Sequence, residues 1–275
     1  MICTTNPLVS VVINNYNNAK YLQDCISALQ SQTYENIEIV VVDAGSTDNS
    51  REIIALLAEG DERIKPVFSS EYIKYPAISY NIGLIAASGD FIAINDPDDI
   101  SLDSRIENQL NYLLSNPEVD VVGCAVIEFG GSPERIVFTS VFENLNSAIP
   151  PIRNPTLMFK KSLISIHGLW RWECEYAADF EWLYRWYFQG VKFEIIQIPL
   201  LRYRYSHGEN VSTRYVLEQA EKILKFRIYF GIKILLKDGI FWGKQICFST
   251  IYCLSLKLKK LIGIKSFGFG RFFVK

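Results

Sequence analysis

A repeating unit of buried strand, polar cluster and helix runs through the first 127 residues and constrains the fold more than any other feature. Leu8–Ile13 is a β-branched run, and Lys20–Leu29 follows it with helical spacing. Ile37–Val42 and Arg51–Leu57 repeat the pair, and Ile64–Phe68 and Ala77–Ala87 repeat it again. Phe91–Asn95 and Val119–Ile127 are further apolar strands. Between them Arg105–Leu114 carries Ile106, Leu110, Leu113 and Leu114 on one stripe, with Ser104 and Glu107 spaced as a capping box. Continuous apolar strands alternating with helices predict an α/β fold, a mostly parallel central sheet with helices on both faces.

The polar clusters fall where such a sheet binds ligands, just past the carboxyl ends of its strands. Asn14-Asn15-Tyr16-Asn17 follows the first strand, Asp43-Ala44-Gly45-Ser46-Thr47-Asp48 the second, and Asp96-Pro97-Asp98-Asp99 the strand at Phe91–Asn95. The three should therefore converge on one crevice. Asp96 and Asp98, one residue apart in an extended segment, face the same way. Carboxylates this close need a counter-charge, which a divalent cation supplies; Mg²⁺ takes one or two protein carboxylates and completes its shell with substrate phosphates. The competing reading is an acidic turn before the helix at Arg105. The Asp43–Asp48 cluster likewise reads either as a turn with a helix N-cap or as a ligand contact.

The second half is less regular. Ala177–Phe188 reads as a helix with Asp179, Glu181 and Arg185. Lys192–Ile196 and Leu200–Tyr205 read as two strands, and Val216–Leu236 and Phe241–Ile262 as two tail helices. Trp170, Arg171 and Trp172 are either core or an aromatic surface. The division is one domain over 1–215, split at 127/128, and a basic amphipathic helical tail over 216–275.

Of the 275 residues 49% are hydrophobic, enough for a sizeable core. The net charge of −2 conceals an asymmetry. From Lys222 onward twelve Lys and Arg face one acid, Asp238. A basic, aromatic-rich stretch over 222–275 suits an anionic membrane surface or a solvated helical face. The six cysteines form no CxxC pair and have no zinc spacing with His167 and His207, so they read as reduced core residues of a cytoplasmic protein. No basic segment leading into an apolar one marks a signal peptide. Without GxGxxG, GxxxxGK[ST] or GxSxG, dinucleotide oxidoreductases, P-loop enzymes and serine hydrolases lose support, and nothing points to nucleic acid.

Val9–Ser50, VSVVINNYNNAKYLQDCISALQSQTYENIEIVVVDAGSTDNS, resembles the nucleotide-binding half of family 2 glycosyltransferases. The likeness lies in the YN after the first strand, the QTY before the second and the D-x-GSTD after it. Phe91–Arg105, FIAINDPDDISLDSR, resembles the family's DxD segment. Asn154-Pro155-Thr156 and Tyr176–Asp179 resemble its acceptor-side segments, and Tyr203–Ser212 its closing loop. The resemblance implies a GT-A fold, Rossmann-like over residues 8–127, and an acceptor half over 128–215. It implies sugar transfer with inversion from a nucleotide-sugar donor, with a UDP-sugar as first expectation. A glycan or lipid-linked glycan would accept the sugar, as in bacterial surface polysaccharide synthesis at the inner face of the cytoplasmic membrane. Asn14 and Tyr16 would line the nucleoside pocket, Asp43 would meet base or ribose, and Asp96 would contact the ribose or assist the metal. Asp98 and His207 would hold Mn²⁺ or Mg²⁺, and Asp179 would be the general base. This chain departs from the family pattern in having Ala44 for a frequent second Asp and Ala178 for Glu, and in one extra residue between Arg204 and His207. Ala44 and Ala178 keep open a non-catalytic nucleotide-sugar-binding or assembly subunit.

Overall fold

The computed structural model describes residues 6–131, 133–138 and 152–205. His207 and the tail over 216–275, with its basic stretch, lie outside them. The strands β1 (Val9–Asn15), β2 (Ile37–Asp43), β3 (Ile64–Phe68) and β4 (Phe91–Asn95) are parallel, in the order β3-β2-β1-β4. The register sets Asn15 beside Asp43 and Ile13 beside Asn95, so the polar clusters leave the sheet along one edge, as expected.

Alternation along β1 assigns its two faces. Val9, Val11 and Ile13 join Leu22, Cys25, Ile26 and Leu29 of helix α1 (Ala19–Gln30) in one core. Val12 joins Val40, Val42, Ile92 and Ile94 in the other, with Ala77, Tyr80 and Leu84 of α3 (Pro76–Ala86). Helix α2 (Ser50–Gly60) follows β2. Gly83 lets α3 lie close to the sheet: a Cβ there would stand 2.5 Å from a Val12 methyl.

Beyond β4 the sheet becomes mixed. It takes in β5 (Ile100–Ser101), β6 (Val121–Phe129), β7 (Arg135–Val137), β8 (Met158–Lys160) and β9 (Phe193–Arg204). The path continues β4-β8-β6-β9-β5, with β7 beside β6, giving nine strands among the described residues. β8 is antiparallel to β4 and β6, and β6 is parallel to β9. The two strands expected over 192–205 are one. Its pairing with β6 shifts on either side of Ala125, where Pro199 sits opposite, so a residue without an N–H is accommodated in a bulge.

Helix α4 (Arg105–Ser115) also differs from expectation. Ser104 makes no side-chain cap, and Glu107 accepts from the Thr33 hydroxyl at 2.7 Å. The cap comes from elsewhere: Gln32 Oε1, following α1, accepts the Ile106 N–H at 3.0 Å. Two further helices, α5 (Ser162–His167) and α6 (Ala178–Phe188), belong to the second half of the chain. Trp182 and Trp186 of α6 pack edge-on against Phe159 of β8. Cys25, Cys124 and Cys174 are buried free thiols, as read from their spacing.

Candidate active site

Arg105, the first residue of α4, is fully buried beneath the acidic turn and braces it. Its Nη1 donates to Asn95 Oδ1 at 2.7 Å and to the Ser101 hydroxyl at 2.9 Å. Its Nη2 donates to the Ile94 carbonyl at 2.7 Å, and Nε to Gln109 Oε1 at 3.0 Å. The Asn95 amide then donates to the Asp96 carbonyl at 2.8 Å. The last residue of β4 is thus locked to the first of the turn.

The three carboxylates above this brace differ. Asp96 accepts from the hydroxyl of buried Tyr80 through Oδ1. Burial, then the charge of Asp98, pushes Asp96 up to about 7; Tyr80 and Arg105 oppose the rise and the charge of Asp179 adds to it. Asp98 is raised by burial, against the pull of Arg204 and Lys20. Asp99 is buried and held well above the carboxylate range by burial and by Asp98 and Asp96. Its Oδ1 accepts the Arg204 N–H at 2.7 Å, while Oδ2 is buried without a hydrogen-bond partner. Asp99 therefore pins the end of β9 rather than turning the chain into α4.

On the donor side Asn14 ends up with Oδ1 shielded from water and unpartnered. Tyr16 is 39% exposed, its ring 4.7 Å from that of Tyr72. Asp43, expected to meet base or ribose, has a fully buried side chain. Oδ1 accepts from Ser46 N, Gly45 N and Arg51 Nε at 2.9, 3.2 and 2.9 Å, and Oδ2 from Asn15 Nδ2 at 2.9 Å. It faces its own loop and shapes the pocket through it; these donors outweigh burial and lower its pKa.

Gly45, at φ +87°, lies where a Cβ would stand 2.6 Å from the Glu71 carbonyl oxygen and 2.7 Å from the Tyr72 Cα. Gly45→Ala must strain the turn and displace Tyr72 from Tyr16. It is expected to cost more than about 1 kcal/mol. It should also weaken nucleoside diphosphate binding, and melting curves with and without UDP measure both. An unchanged melting temperature and UDP shift would refute it.

On the acceptor side Asp179 sits in the first turn of α6, partly buried, and burial lifts it to about 6. The preceding loop is clamped to that helix. Arg185 donates to the carbonyls of His167 and Leu169 and pairs with Glu181 at 2.9 Å. Trp170 and Trp172 divide the two readings of their segment. Trp170 is core, stacked on Tyr80 at 4.7 Å and against Trp182 at 5.4 Å, whereas Trp172 is 49% exposed. Trp170 thus continues the line from Asp96 through Tyr80 to the helix carrying Asp179. Arg153 pairs with Glu128 and lies over Tyr203.

Among the described residues no group of three or more His, Cys, Asp and Glu is arranged to hold an ion. Asp96 and Asp98 still offer two hard oxygen donors, which is enough for a cation that completes its shell with phosphate and water. Two hard oxygen donors one residue apart are donor chemistry that fits a divalent cation. Also among the described residues, no helix is long and apolar enough to cross a membrane.

The comparisons agree with this layout. A model described as "Glycosyl transferase family 2" matches residues 10–170. An "Uncharacterized glycosyltransferase" of Haemophilus influenzae is 31% identical over 238 residues, 80% of this chain and 72% of its own. Another from the same organism, 38% identical over 135 residues, is matched over 49% of this chain and 54% of its own length, so the chain spans about half of it. The Escherichia coli "UDP-Glc:alpha-D-GlcNAc-diphosphoundecaprenol beta-1,3-glucosyltransferase WfgD" is 39% identical over 109 residues, 40% of this chain and 42% of its own. Among solved structures, S. aureus TarS 1-349 superposes with a TM-score of 0.68 at 17% identity, over 94% of this chain and 75% of that one. Its UDP-GlcNAc complex gives 0.66 at 19%, over 86% and 69%. At those identities TarS speaks for the shared fold, the mixed, mostly parallel GT-A sheet. With the family model covering more than half of its length, this chain belongs to glycosyl transferase family 2.

Proposed function

We propose that this chain transfers a sugar from a nucleotide-sugar donor to the hydroxyl of a glycan or lipid-linked acceptor, with inversion at the anomeric carbon. The observation that carries the reading is the convergence of Asp179 with the Asp96–Asp99 turn. Tyr80, bonded to Asp96, stacks on Trp170, and Trp170 packs on Trp182 of the helix that carries Asp179, so the two carboxylates are linked across the two halves of the chain. One side holds groups suited to a nucleotide diphosphate, and the other a carboxylate free to take a proton.

Asn14 Oδ1 and the Tyr16 ring line the nucleoside side. Asp98, aided by Asp96, and with His207 contributing from outside the described residues, would hold Mn²⁺ or Mg²⁺. That cation supplies positive charge against the leaving diphosphate. Asp96, fixed by Tyr80, meets the ribose or assists the metal. Asp179 removes the acceptor proton as the hydroxyl oxygen attacks opposite the diphosphate. Lys74 is an exposed cation that can approach the phosphates. A uridine donor draws support from the UDP-Glc in WfgD's name and the UDP-GlcNAc bound by TarS. The Mn²⁺ in the GDP-Man complex of the Pyrobaculum calidifontis mannosyltransferase PcManGT supports a cation. The diphosphoundecaprenol in WfgD's name supports a lipid-linked acceptor, and the basic 222–275 stretch would favour the anionic inner face where one resides.

Thermal shift tests the donor half. A ligand that binds only the folded state raises its melting temperature. UDP with Mn²⁺ is expected to stabilise the wild type more than UDP alone, and Asp98→Ala to lose the Mn²⁺-dependent increment. An Asp98→Ala protein that keeps the full increment would remove Asp98 from metal binding.

A further inference from the structure

We infer that Tyr75 and Trp172 form a stacking platform for the pyranose ring of the acceptor, an inference that rests on the glycosyl-transfer reading above. The segment 69–75 carries two aromatic contacts. Tyr72 meets Tyr16 at the end of β1, and Tyr75 stacks on Trp172 of the acceptor half, with ring centres 6.4 Å apart and planes at 28°. Tyr176 closes on Tyr75 edge-on at 6.1 Å. Trp172 lies seven residues before Asp179, and its neighbour Trp170 stacks on Tyr80, which holds Asp96. The platform therefore joins the 69–75 segment to the segment that leads into the helix of the proposed base.

Three observations favour a ligand over ordinary packing. Trp172 keeps about half of its surface in water, whereas Trp170, two residues earlier, is buried. The turn that presents it is strained: Glu175 has φ +53° and ψ −123°, a left-handed conformation that a non-glycine residue holds only where its surroundings impose it. Lys74 places its ammonium 4.9 Å from the Tyr75 ring centre, so a cation stands beside the platform. A pyranose matches such a surface, with one face of axial C–H groups for the ring and a rim of hydroxyls for the surrounding water and charge. Stacking also tolerates variation in sugar stereochemistry, so the platform would fix the plane of the acceptor while other contacts choose the hydroxyl.

Saturation-transfer NMR on the full chain, with UDP and Mn²⁺ present, tests this using methyl β-glucoside, methyl β-galactoside, methyl N-acetyl-β-glucosaminide, lactose and chitobiose. At least one glycoside is expected to bind the wild type, with transfer strongest at the ring protons of a single face. Trp172→Ala should weaken that binding by about tenfold or more, while Trp172→Phe, which keeps a ring, should stay within about threefold. Trp172→Ala within twofold of wild type, or no glycoside binding to the wild type, overturns the platform. The UDP–Mn²⁺ thermal shift of each protein separates this failure from that of the parent reading. A wild type without the shift removes the glycosyl-transfer reading itself. A shift lost in Trp172→Ala alone means that the residue only supports the fold, and overturns the platform too.

Discussion

Asp179→Asn is expected to lower turnover by about 10²–10⁴-fold while leaving the affinity for the donor nucleotide within about twofold. The two effects separate because Asp179, on α6, is proposed to act on the acceptor hydroxyl and not on the nucleotide, and the amide preserves its shape. Burial has lifted the Asp179 carboxyl to about 6, so ionising it in the folded protein costs stability at neutral pH. A neutral amide removes that cost, and the variant should melt at the same temperature as the wild type or higher. The same shift sets the pH dependence. A base must be deprotonated to act, so kcat/KM should fall about tenfold per unit as pH drops below about 6. Rates, UDP binding and melting curves on one pair of proteins decide the matter. Turnover above a third of wild type would end the assignment of Asp179 as the base.

Arg105→Met should produce the largest loss of stability. The guanidinium serves Asn95, Ser101, Ile94 and Gln109, and its positive charge holds down the pKa values of Asp96 and Asp99. Methionine fills much of the volume but leaves those acceptors unpaired and the carboxylates without their buried cation. Removing one partner of a buried charged network costs about 3–5 kcal/mol. In a domain of this size that lowers the melting temperature by on the order of 10 °C. The loss should be larger at pH 8 than at pH 5.5. Asp96 and Asp99 have raised pKa values, so they take up protons as the pH falls and then need less compensation. Differential scanning fluorimetry at the two pH values measures both effects. A melting temperature within 2 °C of wild type at pH 8 would contradict the role given to Arg105.

The parallel half of the fold was legible because its signals are local. Val9, Val11 and Val12 announce a strand buried on both faces, and the polar residues after each strand mark the ligand edge directly. The same locality misled at α4. Ser104 and Glu107 have the right spacing for a cap, but the cap is Gln32, brought there by the packing of α1. Lys192–Ile196 and Leu200–Tyr205 read as two strands, and only the pairing with β6 reveals one strand with a bulge at Pro199. In the site Asp96, Asp98 and Asp179 stand out by residue type. Tyr80 and Arg105 do not: Tyr80 looks like core in an apolar helix, and Arg105 like the exposed start of an amphipathic one. What each does depends on a partner supplied by another part of the chain, and no periodicity encodes that.

The end of β9 carries a practical consequence. Arg204 donates its backbone N–H to Asp99 and its Nε to the Asp98 carbonyl at 2.9 Å, and the N–H of Tyr205 goes to Phe129 at 2.7 Å. The end of β9 is therefore tied to the acidic turn. For anyone re-engineering this protein, a cut or splice at Arg204 is surgery on the acidic turn, however remote it looks in the linear sequence. Asn6 and Pro7, by contrast, accept from Asn36 and Tyr34 and make no such bond to the acidic turn.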